Sequence, residues 1–231
     1  MLHARDLRIY TNSTTREVNG WMFDFSLIGL FVASYLTGSV SFAVVVSRVM
    51  SLPSPYSYGS ENPGATNVLR TGNKVASFLT LFGDGGKGFC AVLCLPVWIL
   101  PVTVWSGNEW AVGLALIGVL LGHVSPLFHA FKGGKGVATA AGGLLALDLR
   151  VGFAVFLVWL IVSVVFRYSS LAAISATIMA PVIVFWHLGS IELTGFTITV
   201  SLILILRHKQ NIINLLNGAE SKIGKKDHNS S

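Results

Sequence analysis

Charge is what this chain has least of. Sixteen Lys and Arg with ten Asp and Glu make up 11% of its 231 residues, where a soluble domain carries about a quarter. An ordinary water-facing surface is therefore excluded. Cysteine is almost as scarce: Cys90 and Cys94 lie one helical turn apart in an apolar run, which is neither a disulfide framework nor a CxxC pair. They are expected to pack as small residues. The chain has no GxSxG elbow, no HExxH, no His-x-x-x-x-Asp pair and no Cys/His/carboxylate cluster at metal-ligand spacing, so no metal or other cofactor is expected. It also lacks low-complexity tracts, long internal repeats and the charged-then-apolar order of a cleaved leader. The net charge of +6 and pI near 9.6 come from dispersed residues and not from a dense basic patch interleaved with aromatics, so nucleic acid is not an expected partner.

What remains is apolar. Residues AVILMFWYC make up 53% of the chain and the mean hydropathy is +0.70. Charge-free runs at 25–47, 88–108, 110–131, 151–166, 168–191 and 193–206 each approach or exceed the length that spans a bilayer core, about 20 residues. They lack the strict polar alternation of barrel strands, which leaves helices as the spanning element. The sequence thus predicts an all-α, polytopic integral membrane protein of about seven helices, near 23–48, 75–104, 109–130, 136–148, 150–166, 169–188 and 191–207. Three segments follow: a polar tail (1–21), a transmembrane domain (22–212) and a C-terminal tail (213–231). Arg48, Arg70, Lys74, Lys132, Lys135, Arg167, Arg207, Lys209, Lys222, Lys225 and Lys226 fall on one side and only Arg150 in the opposite short connections. The positive-inside rule makes the first side cytoplasmic.

Three segments of that side carry chemistry. Gly59-Ser60-Glu61-Asn62-Pro63-Gly64-Ala65-Thr66-Asn67-Val68-Leu69-Arg70 alternates small residues with hydroxyl and amide donors, as an anion-binding loop or a plain turn does. Phe131-Lys132-Gly133-Gly134-Lys135-Gly136-Val137-Ala138-Thr139 is a glycine-rich cationic loop opening a helix, suited to phosphate. It is not a Walker A loop, because the spacing fails and Gly136 stands where a Ser or Thr belongs. In Arg207-His208-Lys209-Gln210-Asn211-Ile212 a continuing helix places His208 and Asn211 on one face. Within the spans, Asp84 and Lys87 are three apart and predict an intramembrane ion pair. Ser39 reads as a helix back-bonder, His123 as structural, and Gly118-x-x-x-Gly122 as a close helix contact.

These segments, with Gly38-Ser39, Asp84-x-x-Lys87-Gly88, Gly122-His123-x-x-Pro126 and Tyr168-x-Ser170-Leu171, resemble the acyl-phosphate-dependent glycerol-3-phosphate acyltransferases, the PlsY family, over about residues 22–226. The resemblance implies a seven-span bacterial inner-membrane enzyme with its active site facing the cytoplasm. It would move an acyl chain from acyl phosphate to the 1-hydroxyl of glycerol 3-phosphate, giving lysophosphatidic acid and phosphate. Carried over from the family, Ser39, Lys135, His208 and Asn211 are the catalytic set, with Ser170 beside them. Gly59, Ser60, Asn62, Gly64, Thr66 and Asn67 belong to the first binding loop, and Gly133, Gly134 and Gly136 to the phosphate loop. A separate enzyme supplying acyl phosphate is implied as a partner. An organic-phosphate transporter and an inactive docking paralogue are the readings from other classes.

The chain departs from the family pattern in the first loop. The family usually carries Asp and Arg shortly before a Gly-Ser-Gly-Asn string, whereas Ser54, Tyr56 and Glu61 stand here. A phenol donates one hydrogen bond where a guanidinium donates a charged pair, so weaker phosphate binding is expected. The double change Tyr56→Arg and Glu61→Gly is expected to lower the apparent KM for glycerol 3-phosphate. An unchanged KM would reject the idea that these positions tune affinity.

Overall fold

Asn73, Asn108, Asp148 and Ser190 each precede an apolar run, and each turns a side-chain oxygen back onto free amides of the next turn. Asn73 accepts from Ala76, Asn108 from Trp110 and Ala111, Asp148 from Arg150 and Val151, and Ser190 from Leu193. These caps satisfy amides that a helix start leaves open. In the computed structural model, which describes residues 25–100 and 108–223, they begin four of the long helices. The expected polar tail at 1–21, the outer ends of the first two spans at 23–24 and 101–104, and Lys225 and Lys226 lie outside the described residues.

In chain order the helices are α1 (25–38), α2 (Phe42–Val49), the short α3 (Ala65–Leu69), α4 (Lys74–Ile99), α5 (Glu109–Val124), α6 (Val137–Leu147), α7 (Leu149–Phe166), α8 (Ser169–Leu188), α9 (Ile191–Arg207) and α10 (Lys209–Leu216). No strand occurs among the described residues. Among the described residues, five elements are long and apolar enough to cross a membrane: Phe25–Val49, Lys74–Ile99, Glu109–His129, Leu149–Phe166 and Ser169–Leu188. A sixth results if α9 and α10, bent by 59° at His208, count as one span. The expectation of about seven full spans differs at α6. Its 11 residues rise about 16 Å, half of a bilayer core of about 30 Å. The shortfall has a visible cause: the loop before it is sunk into the bundle, with Gly133, Gly134 and Gly136 buried.

Successive helices run between two rims. One gathers 49–74, 125–136, 167–168 and 208–223, tied together by Tyr56 to the Lys132 carbonyl (2.8 Å), Arg70 to Ser221 (2.9 Å) and Arg167 to the Ile223 carbonyl (3.2 Å). The other holds the bond from Ser190 to Glu109 (2.6 Å) and the approach of His187 to Asp148 (3.5 Å). The Lys/Arg-rich connections thus share the first rim, as the sequence predicts.

The interior is apolar and close-packed. Val92, Leu116, Leu120, Leu144, Val155, Val184, Val200 and Leu204 form its centre, with a second cluster of Leu27, Leu30, Leu100, Ala111 and Ala115 toward the opposite rim. The outside is apolar too: Phe153, Phe156, Leu157, Ile161, Val164 and Val165 of α7 are exposed, the face that lipid covers. Cys90 is also exposed, and so does not pack as expected, while Cys94 is half-buried.

The GxxxG expectation holds. A Cβ on Gly122 would run into the Tyr35 carbonyl and approach the Ser39 amide to 2.8 Å, so α1 and α5 meet backbone to backbone. Gly122→Ala is expected to lower the thermal midpoint, equivalent to about 1–3 kcal/mol of overpacking. Gly195→Ala, on α9 with nothing within 4 Å of an added Cβ, is expected to be neutral or to raise it, since a helical Gly costs about 1 kcal/mol relative to Ala. Thermal unfolding of the two variants in lipid or detergent checks the opposite signs.

Candidate active site

The site is assembled where the sunken loop before α6 meets the bend between α9 and α10. Gly136 adopts φ +89° and ends the loop as the residue before α6, a conformation that glycine adopts without strain. A Cβ on Gly134 would strike the His123 ring and approach the Pro63 carbonyl to 2.7 Å. The loop is therefore pressed between α5 and the 59–64 segment. Its carbonyls are claimed from outside, as Arg207 donates to Gly133 (2.9 Å) and Gly134 (3.3 Å), and the Gly134 amide donates to the His123 carbonyl (3.1 Å).

Lys135 projects from this loop and donates to Asn211 Oδ1 at 2.6 Å. The Asn211 amide donates in turn to Glu220 Oε1 (2.8 Å), which also accepts from the Ser170 hydroxyl (2.6 Å). Four side chains from four segments are thus linked, with Asn211 and Ser170 on the Glu220 carboxylate and Lys135 joined through Asn211. Arg70, bonded to the neighbouring Ser221, flanks them. Burial pushes the Lys135 ammonium below the usual lysine value, the nearby Arg70 and Arg207 push the same way, and Glu220 opposes the shift.

His208 is placed differently from the sequence expectation. The helix does not continue through it but bends, so His208 and Asn211 do not share the face of one straight helix. The reason is that the His208 ring is buried and its Nδ1 lies 2.8 Å from the Leu204 carbonyl. A carbonyl only accepts, so Nδ1 carries the proton and Nε2 is the basic nitrogen.

Of the other candidates, Ser39 is fully buried, and its hydroxyl donates to the Tyr35 carbonyl (2.9 Å) and accepts from the Leu127 amide (3.2 Å). That is the back-bonding geometry, and it sets Ser39 apart from the Lys135 cluster. Asn67 spends its amide on the Pro55 and Tyr58 carbonyls and its oxygen on the Ser60 amide. It braces the first loop. Gly59, at φ +60°, closes that loop against Arg70 and Asn67, Asn62 lies over Gly64, and Ser60 and Thr66 are exposed. Tyr56 makes the one donor bond expected of it, to the Lys132 carbonyl, and so joins the two loops. Glu220 and Arg70 were not singled out as site residues by the sequence. Arg70 ends the first polar segment and Glu220 follows the third by eight residues, and only the third dimension brings them together.

The arrangement gathers a lysine, amide and hydroxyl donors and one carboxylate at the edge of an apolar bundle, and comparison with known proteins identifies the family. The family model described as glycerol-3-phosphate acyltransferase matches residues 28–218. The chain belongs to that family. It is similar to the glycerol-3-phosphate acyltransferase of Cupriavidus necator, with 52% identity over 200 residues covering 84% of this chain and 95% of the relative. It is likewise similar to that of Burkholderia mallei, with 53% identity over 197 residues covering 84% and 94%. Among solved structures it resembles PlsY (YgiH), an integral membrane glycerol 3-phosphate acyltransferase. The glycerol 3-phosphate form has a TM-score of 0.78 and the lysophosphatidic acid form 0.76, both at 36% identity and covering 86% of this chain and 96% of the other. The chain is thus a multi-pass membrane glycerol-3-phosphate acyltransferase.

Because its ammonium is depressed, Lys135 loses its charge at a lower pH than an ordinary lysine, whose value is about 10.4. Activity is therefore expected to fall on the alkaline side below that value. Glu220→Gln removes the one group that opposes the shift, so it is expected to move the alkaline limb to still lower pH. Lys135→Arg is expected to remove the limb. The pH profile of kcat/KM for glycerol 3-phosphate reads all three.

Proposed function

We propose that the acyl donor is an acyl phosphate and that the chain transfers its acyl group to the 1-hydroxyl of glycerol 3-phosphate on the cytoplasmic face of a bacterial inner membrane. Lysophosphatidic acid and inorganic phosphate are the products. The observation that carries this reading is the seat around Glu220: Asn211 and Ser170 donate to its carboxylate and Lys135 donates to Asn211 beside them, a set of donors of the kind that receives a phosphate oxygen. The lysine-rich rim is the cytoplasmic one by the positive-inside rule.

An acyl phosphate is a mixed anhydride with a good leaving group, so no acyl-enzyme is needed. The hydroxyl oxygen attacks the carbonyl carbon, the new ester bond forms, and the bond from carbonyl carbon to phosphate oxygen breaks, with its electron pair leaving on phosphate. Lys135, Arg70 and the amides at the start of α6 hold the two phosphates and stabilise the charge that develops. Ser170 and Asn211 orient them, which converts a two-body encounter into a positioned one. The hydroxyl proton passes to His208 Nε2 or to a phosphate oxygen of the substrate. Ser39, Asn67 and the three loop glycines shape the site without touching the reacting atoms. The acyl chain lies along the apolar bundle, stabilised by about 0.8 kcal/mol per buried methylene, and a separate enzyme supplies the acyl phosphate.

Phosphate release from palmitoyl phosphate by the purified protein in lipid is expected only when glycerol 3-phosphate is present, and Lys135→Ala is expected to cut it about 100-fold or more. Release without glycerol 3-phosphate dependence would reject the donor assignment. His208→Gln distinguishes the two proton acceptors: a loss of about 100-fold or more in kcat assigns the base to Nε2, and a smaller loss assigns it to the substrate.

A further inference from the structure

Asp84, Lys87, His123 and Thr139 form a polar array in the membrane interior, all of them buried. The Lys87 ammonium donates to the Gly38 carbonyl at 2.9 Å and the Val40 carbonyl at 2.6 Å, and it pairs with Asp84 Oδ1 at 3.0 Å. The two carbonyls belong to the break between α1 and α2, where the chain leaves helical geometry at Ser39–Ser41. On the other side of the pair, His123 Nδ1 lies 3.6 Å from Asp84 and 3.1 Å from the Thr139 hydroxyl. The same histidine touches the phosphate loop twice, since its carbonyl accepts the Gly134 amide and its ring occupies the space beside the Gly134 Cα.

The attraction between Asp84 and Lys87 does not by itself account for such an array. A charged pair inside a bilayer is costly, and exchanging both members of a buried pair for apolar residues is often neutral. Its connections account for it better. One end holds the broken first helix, whose Ser39 accepts the Leu127 amide at the start of the segment leading to the loop. The other end holds Gly134 itself. The loop is thereby fixed from both sides before any substrate arrives.

We infer that Asp84, Lys87, His123 and Thr139 are positioning residues for the phosphate loop, setting the Gly133–Gly134 backbone and Lys135 where the glycerol 3-phosphate headgroup binds. None of them touches substrate. The inference rests on the assignment of the 131–136 loop to phosphate, but not on the identity of the acyl donor.

The test is calorimetric titration of glycerol 3-phosphate into the full-length protein in lipid nanodiscs, with a thermal midpoint recorded for every variant. The apolar exchange Asp84→Leu with Lys87→Met is expected to weaken binding about tenfold or more; because it also strips the Gly38 and Val40 carbonyls of their donor, affinity is read on protein that keeps a cooperative thermal transition. Where that double variant does not fold, Thr139 decides. Thr139→Val keeps the shape and loses the hydroxyl, whereas Thr139→Ser keeps the hydroxyl and loses a methyl. Positioning requires that Val weakens binding and Ser retains it; a merely packed residue gives the reverse order. Unchanged affinity in a folded double variant, or Ser weaker than Val, overturns the inference. Absence of glycerol 3-phosphate binding by the parent protein would instead overturn the assignment of the loop.

Discussion

Backbone carbonyls freed inside a hydrocarbon layer have no water to turn to, and at the break of the first helix a single ammonium takes that role. Lys87 binds the carbonyls of Gly38 and Val40 while balanced by Asp84, which makes the break tolerable at membrane depth. Much else follows from it. The break brings Ser39 beside Gly122, lets the backbones of α1 and α5 touch, and presents a hydroxyl to the amide of Leu127. The turn after α5 is set by that contact, and the glycine loop hangs from the turn.

The reactive edge obeys the same economy of charge. Arg70 and Arg207 lie close enough to depress the Lys135 ammonium, and Glu220 opposes them. Its oxygen gathers Ser170 and Asn211 from helices distant in the chain. A cluster of like charges is thus held together by an internal anion.

How much of this was legible in the sequence depends on the range of each contact. The Asp84–Lys87 pair is a three-residue spacing on one helix and was readable as such. The caps at Asn73, Asn108, Asp148 and Ser190 are as local, with amides two or three residues ahead, but were not among the sequence expectations. The Lys135 loop was readable from its glycines and its position before a helix, and Ser39 from the known habit of buried serines. Glu220 was not, because its partners stand 50 and 9 positions away and nothing local marks a carboxylate in a polar tail. Arg70, joined to Ser221 across 151 positions, was read as the end of the first polar segment and as a topology signal, but its place beside Lys135 was hidden for the same reason. The bend at His208 was missed because apolar periodicity runs on through it; the side chain that turns inward to Leu204 carries no signature of its own. The short α6 was foreseen as the weakest span, but the cause, a loop recessed among helices, is a tertiary fact.

That recess has a consequence for where the two reactants meet. If α6 supplies about 16 Å of rise against a core of about 30 Å, the loop before it stands well below the plane of the lipid headgroups. On the proposed assignment of this loop to phosphate, a polar, water-borne molecule has to descend, while a fatty chain already dissolved in the bilayer need hardly rise. Two compounds of opposite solubility would then be joined at a depth that neither bulk phase offers, where water, the competing nucleophile, is thinnest.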